Sequence, residues 1–339
     1  MSWKNILILL AVIAVIHVVL IAVFSGGCKG KNKAAESAKT TETESKEEIK
    51  QPEVPPPPPV KKAKPSAGWD YGKKVLLPKK LAAMSERARS GVLVDLNRRQ
   101  VIWEKNARKA VPVASLTKLM TAIIVAEELE SNPKFLLKDL VEVSKNAAET
   151  EGYGFVKGEV LTVQDLIACM MIRSTNDAAV QLAEMISGKE SDFVKKMNDR
   201  ALELGMTQVK FTSASGLPVG KKRENSFATA ENIVDLCVEL MQFDSVMEFC
   251  GKSSAKLSNG KEIYTTNGLL KHPTKARPNW RKVPGLIGFK TGFTNAAGCC
   301  LAFGVTRNGR TIIGCVTGFP SSADRERFCN DLIEWAYKR

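Results

Sequence analysis

Residues 299–306 and 311–317 are two apolar, strand-like runs, and Asn308-Gly309 lies in the short gap between them. Asn-Gly suits a tight turn with positive φ at both central residues, so this stretch commits the chain to an antiparallel hairpin. Residues 285–290 read as a third strand just before it. Near residue 90 the same signature recurs: 90–96 and 101–104 are strand-like around the turn Asn97-Arg98-Arg99-Gln100. Between these two sets the apolar period changes to that of helices. The spacing predicts helices over 115–130 (closed by Ser131-Asn132-Pro133), 161–172, 177–186, 191–204 (stopped by Gly205) and 229–243, where Thr229 is a cap and Glu231 sits in the first turn. A closing helix is predicted over 322–337. Strands at both ends of a helical middle imply an α+β fold, with one antiparallel sheet built from both chain ends and packed with helices beside a mostly helical middle region. No internal repeat is visible.

With 339 residues, 44% of them hydrophobic, the chain can bury a substantial core. Its first 68 residues do not belong to that core. Residues 6–24 are apolar except for His17 and follow a short head containing Lys4, a length between a signal peptide and a minimal membrane span. Ser25-Gly26-Gly27-Cys28 is similar to a bacterial lipoprotein cleavage site, with Ser25 where an aliphatic residue is usual. Residues 1–28 are therefore read as a signal peptide, with Cys28 lipidated, or as an uncleaved N-terminal membrane anchor. Lys29, Lys31 and Lys33 outnumber Lys4, which by charge alone would keep the body in the cytoplasm. The chemistry below outweighs that rule and puts the body outside the cytoplasmic membrane, in the cell envelope. Residues 29–68 are rich in Lys, Glu and Pro and include the run Pro55 to Pro59. They are a disordered tether, stiff and extended at the prolines. The folded body is assigned to 69–339.

The net charge of +14 is shared between the two parts, +4 in residues 1–68 and +10 beyond. A basic body suits an anionic wall polymer or membrane surface. No basic patch interleaved with aromatics and no nucleic-acid module occurs, so nucleic acid is not an expected partner. Of eight cysteines, seven lie in the body, and none shows Cys-x-x-Cys spacing. No metal site is expected, and buried free thiols are the default reading. Cys299 and Cys300, neighbours on a strand, should face opposite ways.

Within the first predicted helix, Ser115 and Lys118 stand three residues apart and so share a face. A serine hydroxyl becomes a nucleophile only with a base in reach, and a lysine is such a base only when burial or a second cation lowers its pKa. The spacing is common: Ser131/Lys134, Ser253/Lys256 and Ser258/Lys261 repeat it. Two further motifs distinguish Ser115. Ser174-x-Asn176 joins two apolar helical segments, where a loop can present polar groups into a cleft. Ser144-Lys145-Asn146 has the same form but reads as a solvated turn. Lys290-Thr291-Gly292, the one Lys-Thr-Gly in the sequence, ends a predicted strand, with Gly292 open to close backbone approach by a substrate.

In this order, Ser-x-x-Lys, Ser-x-Asn and Lys-Thr-Gly resemble the three marks of penicillin-binding proteins and serine β-lactamases. The longer strings Val111 to Ala122, Ser174-Thr175-Asn176-Asp177-Ala178-Ala179, Ser215-Gly216-Leu217-Pro218 and Lys290-Thr291-Gly292-Phe293-Thr294 are similar to low-molecular-mass D-alanyl-D-alanine carboxypeptidases over about 90–339. The resemblance implies a β-lactamase/DD-peptidase-like fold and a serine-type carboxypeptidase. Such an enzyme removes the terminal D-alanine of peptidoglycan stem peptides without a cofactor and is acylated by β-lactam antibiotics. It implies Ser115 as nucleophile, Lys118 as general base and Ser174 as proton relay. Asn176 would hold the substrate amide, and the backbone N–H groups of Ser115 and Phe293 would hold the oxyanion. Lys290, Thr291 and Gly292 would line the substrate, and Arg325 would meet its carboxylate unless it is an ordinary surface charge like Arg327. Phe293 stands where relatives often have His. The further C-terminal β-rich domain of many relatives is not expected.

A Ser-His-Asp hydrolase is a poor alternative, because the body has only His272 and no Gly-x-Ser-x-Gly. A β-lactamase would call for a Glu-x-x-x-Asn segment between Asn176 and Lys290, which is lacking. A DD-endopeptidase would use the same residues. An inactive peptidoglycan-binding protein would show damage in the motifs, and none is seen.

Overall fold

The structure, a computed structural model, describes residues 68–72, 75–272, 274–276 and 282–339. The proposed anchor at 1–28, Cys28 and the tether up to residue 67 lie outside the described residues. Contacts divide the chain into units 1–54 and 55–339, and every described residue falls in the second. Among the described residues no helix is long and apolar enough to cross a membrane.

The strands are β1 (Ser90–Asp95), β2 (Gln100–Lys105), β3 (Val111–Pro112), β4 (Leu140–Glu142), β5 (Val160–Thr162), β6 (Phe227–Ala228), β7 (Ser254–Lys256), β8 (Glu262–Tyr264), β9 (Leu286–Thr294), β10 (Gly298–Arg307) and β11 (Arg310–Phe319). The helices are α1 (Lys79–Ser85), α2 (Lys118–Ser131), α3 (Lys145–Glu149), α4 (Val163–Ala168), α5 (Asn176–Ser187), α6 (Glu190–Glu203), α7 (Ala230–Leu240), α8 (Asp244–Cys250) and α9 (Ser322–Tyr337). Five strands form one antiparallel sheet in the order β2-β1-β11-β10-β9, so both chain ends contribute as the patterning predicts. Asn308 and Gly309 both take positive φ, which matches the twist of the β10–β11 hairpin.

Both faces of the sheet are covered, and the side-chain period of two divides them. Val92, Val94, Cys300, Ala302, Ile313 and Cys315 join one buried cluster with α2 and α7. Leu93, Cys299, Leu301, Phe303, Ile312 and Val316 join another beneath α9 and α1. Cys299 and Cys300 thus face opposite ways. All seven described cysteines are buried and free.

The local differences from the pattern lie where the chain must bend. The helix predicted from 115 begins as a tight turn, Ala114–Thr117, and α2 proper starts at Lys118. Ala114 has φ +49°, and a left-handed residue cannot open an α-helix directly. The segment predicted as one helix over 161–172 divides into three. Val160 to Thr162 pair with β4, Thr162 and Asp165 form a capping box, and α4 then widens into a π turn at Cys169–Arg173. Ser144 is a helix cap for α3 rather than a solvated turn. Its Oγ accepts from Ala147 N and also binds Glu184.

Candidate active site

The turn carrying Ser115 is clamped from two sides by backbone. A Cβ on Gly216 would stand 2.9 Å from Thr117 Oγ1 and nearer still to the Ala114 carbonyl. A Cβ on Gly292 would meet Val113 O at 3.1 Å and Ser115 N at 3.2 Å. The space that glycine leaves on the Cβ side at 292 is therefore taken up by the protein's own backbone. This packing holds Ala114 in its left-handed conformation, a strain of about 1 kcal/mol for a residue with a Cβ.

Lys118 follows at the start of α2 and is fully buried. Its Nζ lies 3.1 Å from Ser115 Oγ, 2.7 Å from Asn176 Oδ1 and 2.6 Å from the Ser215 carbonyl oxygen. The last two can only accept. A neutral amine has two N–H bonds to give them, and its lone pair then points at the serine hydroxyl. The orientation of the Asn176 amide follows from its other end, where Nδ2 donates to the Glu151 carbonyl at 2.7 Å. One lone pair on Oδ1 and one proton on Nδ2 remain for a substrate amide.

Burial pushes the Lys118 pKa well below its usual 10.5. The neighbouring Lys290 pushes the same way, and Asp177 partly opposes both. Lys290, on β9, is also buried, and its Nζ donates to the Thr291 carbonyl at 3.2 Å. Its pKa is pushed down to about 7, first by burial; Cys250 opposes the shift and Arg325 adds to it. Burial and the second lysine together thus favour a neutral Lys118 at ordinary pH.

Ser115 and Asn176, the two side chains on the Lys118 amine, open onto a cleft of about 460 Å³, whose walls also include Ser174, Thr291, Gly292, Phe293 and Arg325. Ser174 follows the π turn in a left-handed conformation, φ +67°. Thr291 is nearly buried and its hydroxyl pairs with that of Thr266. Phe293 is 61% exposed at the rim. Arg325 is 3% exposed; it donates to the Cys300 carbonyl and to Glu326, both at 3.0 Å, while Nε has no partner among the described residues. It is a wall of the cleft and not a surface charge, whereas Arg327 is exposed.

The residues singled out in the sequence therefore meet around one crevice. Lys118 touches Ser115 and Asn176 directly, Ser174, Thr291, Gly292, Phe293 and Arg325 line the cleft with them, and Lys290 is buried with its amine on the Thr291 carbonyl. The pattern did not single out the Glu151 and Ser215 carbonyls, Thr266 or Glu326. Backbone oxygens carry no side-chain signature, and only Gly216, next to Ser215, hinted at close packing. Among the described residues no group of three or more His, Cys, Asp or Glu side chains could hold a metal ion.

Known proteins resemble this chain in sequence and in fold. The sequence profile of the family described as D-alanyl-D-alanine carboxypeptidase matches residues 78–321. The chain is 30% identical over 267 residues to D-alanyl-D-alanine carboxypeptidase DacF of Bacillus subtilis, covering 77% of this chain and 65% of that one. It is 31% identical over 266 residues to D-alanyl-D-alanine carboxypeptidase DacC of Escherichia coli, covering 76% and 62%. It thus spans a little under two thirds of these relatives' length. Penicillin-binding protein D2 of Listeria monocytogenes, solved in its ampicillin-bound form, superposes with a TM-score of 0.64 at 30% identity, over 73% of this chain and 96% of that one.

Proposed function

The chain belongs to the D-alanyl-D-alanine carboxypeptidase family, and from that premise we propose that it is a serine-type D-Ala-D-Ala carboxypeptidase acting on peptidoglycan stem peptides. The observation that carries the reading is the Lys118 amine, buried and 3.1 Å from Ser115 Oγ, with its other two contacts made to pure acceptors. Neutral Lys118 takes the hydroxyl proton as Ser115 Oγ attacks the penultimate D-alanine carbonyl carbon. The developing oxyanion is held by the backbone N–H groups of Ser115 and Phe293. The C–N bond then breaks, and the proton passes by way of Ser174 to the leaving amine. Free D-alanine departs, an acyl-enzyme remains, and water releases the shortened peptide.

β9 is an edge strand, so an extended peptide can add alongside it, while Asn176 binds the substrate amide. Arg325, with Lys290 and Thr291, faces the terminal carboxylate. The strained amide of a penicillin offers Ser115 the same carbonyl, which makes β-lactams acylating mimics; the ampicillin-bound relative supports this. The protein works in the cell envelope, its body at 69–339 held to the membrane through 1–28 or a lipid on Cys28, with 29–68 as tether.

The test is to incubate the full-length chain with labelled penicillin and map the adduct, then compare three reactions. These are D-alanine release from a pentapeptide, cleavage of a cross-linked dimer and β-lactam hydrolysis. An adduct on Ser115 with D-alanine release is the expected result. Labelling elsewhere, or none, defeats the assignment. Dimer cleavage without D-alanine release marks an endopeptidase, and fast β-lactam turnover alone marks a lactamase.

A further inference from the structure

Asp177 follows Asn176 in the chain and takes no part in the reaction above, yet its carboxylate is wholly buried and collects backbone donors. Oδ2 accepts from Tyr153 N at 2.6 Å, Gly154 N at 3.0 Å and Phe155 N at 3.4 Å, while Oδ1 accepts from Ala178 N at 2.9 Å. The 151–155 loop is wrapped so closely around this carboxylate that a Cβ on Gly152 would stand 2.5 Å from its carbon. The residue just before that glycine is Glu151, whose carbonyl accepts the Asn176 amide N–H at 2.7 Å. A carbonyl can only accept, so this contact decides which end of the amide faces Lys118. If the amide were turned over, its N–H would bind the lone pair that Lys118 needs for the serine proton.

We propose that Asp177 is a positioning residue for acylation: it holds the 151–155 loop in place, and the Glu151 carbonyl then locks the Asn176 amide with its oxygen on Lys118. The inference rests on the reading of Ser115 and Lys118 as nucleophile and base. The charged groups bearing on Lys118 are Lys290 from β9 and Asp177 itself from α5. A change at Asp177 therefore alters charge as well as position, and a second change from the loop side separates the two.

The experiment compares the full-length chain with Asp177→Asn and Gly152→Ala. The first weakens the grip on the loop and removes the charge. The second keeps the charge and displaces the loop by its added methyl. The saturating rate of acylation by benzylpenicillin and the non-covalent binding constant are measured separately, and the crystal structure of each variant is solved. Both variants are expected to lose the Glu151–Asn176 contact and to acylate about 10- to 100-fold more slowly, as misplacement of a reacting group by about 1 Å does. The binding constant should weaken by less than the acylation rate falls, since Asn176 is the one proposed substrate contact disturbed. Wild-type acylation rates in Gly152→Ala with the loop displaced, or an intact Glu151–Asn176 contact in Asp177→Asn, would overturn the proposal. If the unaltered chain takes no penicillin, the reading of the site fails instead, and the contact seen in the variant crystals still decides what Asp177 holds.

Discussion

The carbonyl oxygen of Ala114 lies 2.1 Å from where a Cβ on Gly216 would stand, so the loop after Ser215 and the turn before Ser115 meet backbone to backbone. Gly216 also has φ +81°, a conformation that other residues adopt only under strain. Gly216→Ala must therefore move either the loop that positions the Ser215 carbonyl or the turn that positions Ser115. The expected cost is about 2–4 kcal/mol of stability, overpacking and backbone strain together. Acylation should slow at least about tenfold, because the base is held by the displaced loop. Urea unfolding and penicillin acylation check the two parts.

Lys118 must be neutral to act, so acylation should rise with pH through its lowered pKa and level off above it. Lys290 is one of the forces keeping that pKa low, and Asp177 opposes it. Replacing Lys290 with Met removes the like charge and raises the Lys118 pKa, so the acid limb of the profile should move to higher pH. The position of the limb, separate from its height, is read from acylation rates between about pH 5 and 10. A limb that stays in place, or moves the other way, contradicts the coupling.

Stability should depend on pH with a definite sign. The Lys290 pKa falls from 10.5 unfolded to about 7 folded, and that of Lys118 falls too. Between those limits the unfolded chain binds more protons than the native one, so stability rises with pH from about 7 towards 10.5. The buried thiols act in the opposite sense. Cys250 is pushed up to about 12 and Cys300 to about 11, so above the thiol's usual 9.0 the unfolded chain sheds protons that the native one keeps. Urea unfolding should show stability growing from pH 7 to 9 and then flattening or turning down. A steady fall across 7 to 9 would contradict this.

Arg325 and Glu326 form an ion pair that is buried on both sides, and Glu326 also accepts from Gly268 N at 3.1 Å. Glu326→Ala leaves a guanidinium buried without its acid, at a cost of about 3–5 kcal/mol. Glu326→Gln keeps an acceptor and should cost less. Thermal unfolding of the two variants gives the order, and equal losses would argue against the pairing.

Away from the cleft, Arg200 on α6 binds Glu127 of α2 at 2.7 Å and Glu239 of α7 at 2.9 Å. Arg200→Met strands two largely buried carboxylates and should lower stability by about 3 kcal/mol. The acylation rate per folded molecule should not change. A slowed rate at full folding would mean that this hub reaches the site.

What the sequence by itself determined is the frame and the cast. Asn308-Gly309 sets the β10–β11 hairpin, the strand period divides Cys299 from Cys300, and residues 322–337 form the closing helix as patterned. These depend on near neighbours in the chain. The later motifs already pointed to one of the four Ser-x-x-Lys pairs, but what each serine and lysine contacts was decided by tertiary structure. Ser258 is spent on Asp165, Lys261 on Glu159 and Ser131 on the Glu127 carbonyl, while Ser115 and Lys118 are brought to Asn176 and the Ser215 carbonyl. Local spacing can put a hydroxyl beside an amine. Keeping that amine neutral takes burial and a second lysine about 170 residues away along the chain, and aiming it takes acceptors from distant loops; only the folded chain assembles these.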